Sequence, residues 1–144
     1  MLETVLLGSL LGREVVAKSI SEITNKTYLN ISILLNNDTF IFKEILEELD
    51  IKVKIQVIDK LISDLDNKKN LSEPIHVCLI NLHNIIEKIN NEILEINKKN
   101  EDYEKVWLKM IYTNPACKLI ENLKKHTKIM DARLDMLVKL LTVS

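Results

Sequence analysis

The sequence predicts an all-α protein: an up-and-down bundle of four main helices with one or two additional short helices. Three observations carry that expectation. Only two glycines and two prolines occur in 144 residues, too few for the turns of a sandwich or a doubly wound sheet. Two long segments place apolar residues at alternating steps of four and three, a spacing that stays on one face of a helix and that no strand can hold on one side. The composition, 47% hydrophobic and 28% charged, supplies a core and is unlike that of a disordered tail. The whole length, 1–144, reads as a single helical-bundle domain.

From the N-terminus, Val5, Leu6, Leu10, Val16, Ile20 and Ile23 form an amphipathic pattern over 3–24. The β-branched stretch 28–35 either continues this helix or forms a second one. Asn36, Asn37, Asp38 and Thr39 read as a loop. Between 41 and 66 the signals conflict. Ile51, Val53, Ile55 and Val57 alternate with polar residues as a strand would. The same region carries Ile45, Leu49, Val53, Val57 and Leu61 on one helical line, with Ile51, Ile55, Ile58, Ile62 and Leu65 on the line beside it. A helix with so wide an apolar arc can touch two neighbours, whereas a lone strand has no partner in this chain, so the pattern predicts a helix.

The strongest signal lies in 72–97. Ile75, Leu79, Leu82, Ile86, Ile89, Ile93 and Ile96 keep the four–three step without a miss. Ser72 is placed to cap this helix, and Pro74 falls in its first turn, where a missing N–H does no harm. The polar run Asn97-Lys98-Lys99-Asn100 reads as a turn or as a kink in a continuous helix. Tyr103, Val106, Trp107, Met110 and Ile111 predict a short helix ended by Asn114-Pro115. The same Asn-Pro starts the last long helix, with its stripe on Ala116, Ile120, Leu123, Thr127, Met130, Leu134, Leu137 and Leu141.

Function is constrained mainly by exclusion. Twenty basic residues against twenty-one acidic ones, a net charge of −1, argue against nucleic acid as a partner. Cys78 and Cys117 are isolated thiols, as expected in a reducing compartment. The first residues lack a basic flank, and their apolar run is shorter than the roughly 20 residues a bilayer crossing takes, so the expected location is cytoplasmic. His76 and His83 stand seven apart, roughly 10 Å along a helix, too far to share one metal ion, and flanks of the core stripe are their expected place. Asp131 and Asp135 lie one turn apart without a pocket motif or a histidine at a useful spacing, and ordinary pairing with Lys128 or Lys139 accounts for them. No phosphate loop, nucleophile elbow or zinc cluster is present. The chain is therefore expected to be no enzyme and to need no cofactor or metal.

Two segments are candidates for binding. Gly8 and Gly12, four apart on one helix face, form either a close-contact groove for another helix or a tight packing site inside the bundle. With Val5, Leu6, Leu10 and Leu11 they make an apolar segment that has no ionisable side chain from Val5 to Gly12. Lys118, Lys124, Lys125, Lys128 and Lys139 form a basic stretch on the last helix, which reads as a patch for phospholipid or an acidic partner, or as a solvated outer face. Tyr103 and Trp107 anchor an interface or fill the end of the bundle.

The apolar glycine-containing start Leu6-Leu7-Gly8-Ser9-Leu10-Leu11-Gly12 and the two heptad helices around Trp107 give the chain a layout that resembles the N-terminal four-helix bundles of cell-death executioners, the mixed-lineage kinase-like and HeLo type. That resemblance implies a bundle that oligomerises and damages membranes. The Ile-, Lys- and Asn-rich usage is that of an AT-rich genome, such as a large DNA virus has. Two functions are thus expected. The first is a non-enzymatic helical interaction or scaffold protein with a protein partner, chiefly a second copy of itself. The alternative is a membrane-permeabilising bundle whose N-terminal helix inserts into lipid.

Overall fold

A computed structural model describes the backbone of residues 2–37, 40–66, 72–104 and 116–143, and the side chains of 16–37, 40–66, 72–103 and 116–143. The described residues form five helices and no strand: α1 (Leu2–Leu35), α2 (Lys43–Leu49), α3 (Ile51–Asp66), α4 (Glu73–Glu104) and α5 (Cys117–Val143). Four are long, the number of main helices that the sequence predicts, and the short α2 arises within 41–66, where one helix is expected.

The β-branched, hydroxyl-rich stretch around residues 24–32 continues α1 without a break. Its hydroxyls fold back onto the preceding turn: Thr24 donates to the Ser21 carbonyl at 2.9 Å, Thr27 to Ile23 at 2.7 Å and Ser32 to Tyr28 at 2.8 Å. A buried hydroxyl is satisfied in this way without leaving the helix. The region 41–66 is helical but is not one helix. Asp50 adopts the left-handed conformation (φ 56°, ψ 30°), its N–H donates to the Glu47 carbonyl at 3.0 Å, and α3 starts at the next residue. Aspartate tolerates that conformation better than most non-glycine residues, so the helix turns a corner without a glycine. The wide apolar arc is corrected too. Ile51, Ile55, Ile58, Ile62 and Leu65 are buried, while Val53 and Val57 on the other line are half exposed.

The α4 stripe is buried in full from Ile75 to Ile96, each side chain worth about 1.5–3 kcal/mol against exposure. The His76 N–H donates to the Ser72 carbonyl, as expected of the cap position. The run 97–100 is not a turn: α4 passes straight through it, with Asn100 buried. On α5, Ala116, Ile120, Leu123, Thr127, Met130 and Leu137 are buried, with Leu134 and Leu141 partly so. The expected short helix at 103–111 and the Asn114-Pro115 cap fall largely outside the described residues.

The extensive interfaces are α1 with α4, α4 with α5, and α1 with α3. Ser21 and Thr24 donate to Asp59 Oδ1 at 3.2 and 3.3 Å, and Lys52 Nζ lies 5.0 Å from the centre of the Tyr28 ring. These pairs make α1 and α3 antiparallel. Glu92 with His126, and the Asn81 carbonyl with Arg133, do the same for α4 and α5. Lys54 of α3 reaches Asp131 of α5 at 2.9 Å. That bridge sits about one turn before the Asn30–Asn90 hydrogen bond on both α1 and α4, so α1 and α4 run parallel. Directions therefore alternate up, down, up, down. Two antiparallel hairpins, α1/α3 and α4/α5, lie side by side, and α3 and α4 occupy opposite corners although they are consecutive.

The Asn30 amide donates to Asn90 Oδ1 at 2.8 Å, and Asn90 is buried. Asn30→Leu should cost about 1–3 kcal/mol by leaving the buried Asn90 amide unpaired, and Asn90→Leu should cost less, because the half-buried Asn30 amide keeps access to water. The double replacement should recover most of that loss, with urea unfolding of the three variants as the measurement.

Candidate interaction surface

Where α1 and α3 pack, their outer flanks leave a groove of about 570 Å³. Thr24, Asn25 and Tyr28 line it from α1, and Val53, Gln56 and Val57 from α3. Asp59 lies against it, already holding the Ser21 and Thr24 hydroxyls. Val53 (50%) and Val57 (53%), which line the groove from α3, are half exposed, and α1 exposes Leu29 (62%) and Ile33 (56%) on its own outer side, beyond the groove's lining. Isolated exposed apolar residues are ordinary, but paired ones on two adjacent helices make a surface. The sequence marked Val53 and Val57 as apolar and missed that they stay half exposed among the described residues.

The candidates read from the sequence are distributed differently. Val5, Leu6, Gly8, Leu10, Leu11 and Gly12 all belong to α1, whose backbone is helical through both glycines, while their side chains lie outside the described residues. Lys118, Lys124, Lys125, Lys128 and Lys139 are all on α5. Lys124 donates to Glu121 at 3.1 Å, and Lys118, Lys125, Lys128 and Lys139 are exposed on the side that also carries Glu121 and Asp135. Both signs share that face, so its field is weak. Asp131 pairs across the bundle with Lys54, and not along its own helix with Lys128 or Lys139.

His76, His83 and Asn90 repeat at seven residues on α4 and are buried beside the core stripe. This is the flank position expected for the histidines, and Asn90 places that flank toward α1. Among the described residues no three His, Cys, Asp or Glu side chains gather as a metal site would require. Burial pushes the His83 imidazole below its ordinary 6.5, against the smaller opposing pulls of Glu87 and Asn84. Burial also pushes the Cys78 thiol up, away from the reactive thiolate.

The opposite flank of α4 carries an interhelical pair. The His126 imidazole donates through Nδ1 to Glu92 Oε1. Glu92 is mostly buried, and its Oε2 finds no hydrogen-bond partner among the described residues. Burial pushes the Glu92 carboxyl up, with His126 and then Lys88 pulling it back. Sequence reasoning found neither partner, because an isolated Glu and an isolated His become a pair only once the register of two helices is known.

No described helix is long and apolar enough to cross a membrane. No family model matches the chain, and no solved structure resembles it closely enough to count as a match. The chain is similar to an uncharacterized protein of Acanthamoeba polyphaga mimivirus, with 32% identity over 110 residues that make up 76% of this chain and 52% of the relative. It thus spans about half the length of that viral protein, and the match agrees with the large-virus composition of the sequence.

The histidine shift has a definite sign. A base whose folded pKa is depressed loses stability as pH falls below its unfolded value, here 6.5. His83→Leu removes that penalty. Its denaturation midpoint relative to wild type should therefore rise as the pH is lowered from 7.5 to 5, in urea titrations at a series of pH values.

Proposed function

We propose that the chain is a non-enzymatic helical interaction protein, a scaffold module that associates with further copies of itself. The observation that carries this reading is the outer side of α1 and α3, where Val53 and Val57 stay half exposed in the lining of a groove and Leu29 and Ile33 are exposed on α1. Each costs free energy in water, about 25 cal/mol for every Å² of apolar area left wet. A second protein surface removes that cost without any rearrangement of the bundle. The rim is suited to the role: Lys52 is held over Tyr28 and Asp59 by two hydroxyls, so little side-chain freedom remains to be lost on docking. The lining is mixed: the Asp59 carboxylate already engaged by two hydroxyls, Lys60, the Tyr28 ring, the amides of Asn25 and Gln56, and the aliphatic groups of Val53 and Val57. That is the make-up of a contact surface.

Light scattering during size-exclusion chromatography tests the reading. Wild type at tens of micromolar should elute with a mass that is a multiple of 16.7 kDa. Leu29→Lys/Val57→Lys, which places two charges on the exposed surface without touching the buried stripe, should lower that mass while leaving the helical circular dichroism unchanged. Wild type that remains at 16.7 kDa at every concentration removes the reading.

A further inference from the structure

Outside the core, α3 carries a second stripe. Asp50 at the corner, then Val53, Val57 and Lys60, follow one another at steps of three, four and three, which puts them on a single helix face. That face is turned away from the buried line Ile51, Ile55, Ile58 and Ile62, and all four of its side chains are exposed. Valine is a poor choice for a wet helix surface, because it is β-branched, lowers helix propensity and leaves apolar area in water. Asp50 and Lys60, at the two ends of the stripe, form no ion pair with any described residue. By contrast Lys52, Lys54 and Asp59, on the flanks of the same helix, each hold a partner within the bundle. The order along the outer face is therefore acid, valine, valine, base, over about 15 Å of helix.

That order is complementary to itself in one direction and one register. Laid antiparallel against a second α3, with a two-fold axis at the level of Ile55, the stripe sets Asp50 opposite Lys60 at both ends. Val53 then meets Val57 twice in the middle. Laid parallel, the stripe sets Asp50 against Asp50 and Lys60 against Lys60. A slip of one heptad in the antiparallel pair sets Val53 opposite Asp64 or Asp50, so that valine faces a charge in place of valine.

We propose that the exposed stripe of α3 is a two-fold pairing element whose occupant is α3 of a second copy, antiparallel, with Asp50 of each copy level with Lys60 of the other. The proposal rests on the reading of the chain as self-associating and narrows it to one helix, one direction and one register. A contact of this kind uses the same patch on both copies and closes on itself, so its product is a dimer and not a filament. Charge also favours a second copy over lipid: one acid and one base leave the stripe with no net attraction to an anionic surface.

A charge-reversal exchange tests the pairing. Asp50→Lys alone and Lys60→Asp alone each place two like-charge contacts in the symmetric pair, and each should weaken association about tenfold by sedimentation equilibrium at low salt. Asp50→Asn, which keeps a residue tolerant of the left-handed corner, should weaken it about threefold. Asp50→Lys/Lys60→Asp in one chain should restore it. Most tellingly, the two single reversals mixed should form a heterodimer, since every contact between them is again opposite in sign. Circular dichroism checks that the corner survives Asp50→Lys; where it does not, Lys60→Asp and Asp50→Asn decide alone. Association unchanged in those two variants, or folded reversals that show no preference for each other, overturns the proposal but leaves self-association through another part of the surface standing. Monomeric wild type overturns both. Wild type that floats as a monomer with phosphatidylcholine or phosphatidylserine vesicles assigns the exposed surface to lipid and overturns the proposal as well.

Discussion

The hydrogen bond between Asn30 and Asn90 is the constraint on which the arrangement of the helices depends. The stripe on α4 is almost uniformly isoleucine and leucine, and such a seam looks much the same after a slip of two helical turns. Apolar burial therefore says that α1 and α4 must pack but says little about their axial position. A slip that parts the two asparagines strands a buried amide at about 1–3 kcal/mol, while the isoleucines lose almost nothing. With that register set, the hydroxyls of Ser21 and Thr24 come level with Asp59, Lys54 with Asp131, and Glu92 with His126.

The polar pairs differ in what they contribute. Lys54 and Asp131 are partly exposed, and a pair in that setting adds at most about 1 kcal/mol. Glu92 is more deeply placed, and its raised carboxyl pKa marks a desolvation cost that the His126 contact only partly offsets. Its effect is to penalise any other pairing of α4 with α5, since a shift would leave the carboxylate buried alone. The stability of the bundle resides in its apolar stripes, and the selection of this arrangement over its neighbours resides in four or five polar contacts.

That division explains what could be read from the sequence. Periodicity is a property of one helix, so the stripes at 75–96 and 116–141 were legible, as was the Ser72 cap. Asn97-Lys98-Lys99-Asn100 misleads because polarity is averaged over neighbours. Only Asn100 turns inward, where it is 1% exposed, and the lysines before it need no turn to reach water. The corner at Asp50 has no glycine to announce it. Ile45, Leu49, Val53, Val57 and Leu61 share a line in the sequence, but that line predicts burial on a straight helix, and the corner divides it between two. Val53 and Val57 then face outward because α3 spends its other line, Ile51 to Leu65, on the core. Partners across helices, His126 for Glu92 and Lys54 for Asp131, required the register and were beyond any single-helix pattern.

The placement of α3 and α4 at opposite corners has a consequence for how the bundle assembles. Each antiparallel hairpin joins helices close in the chain, α1 and α3 across the short α2, and α4 and α5 across 105–115, so its contacts close at modest entropic cost. The α1/α4 seam joins the two hairpins and spans about sixty residues, as the separation of Asn30 and Asn90 records. The molecule thus divides into two locally coded halves that meet along one face, with 67–71 the only covalent tie between them. A chain cut in that segment keeps both hairpins whole, and each half carries an isoleucine-rich face and one asparagine of the pair with which to find the other.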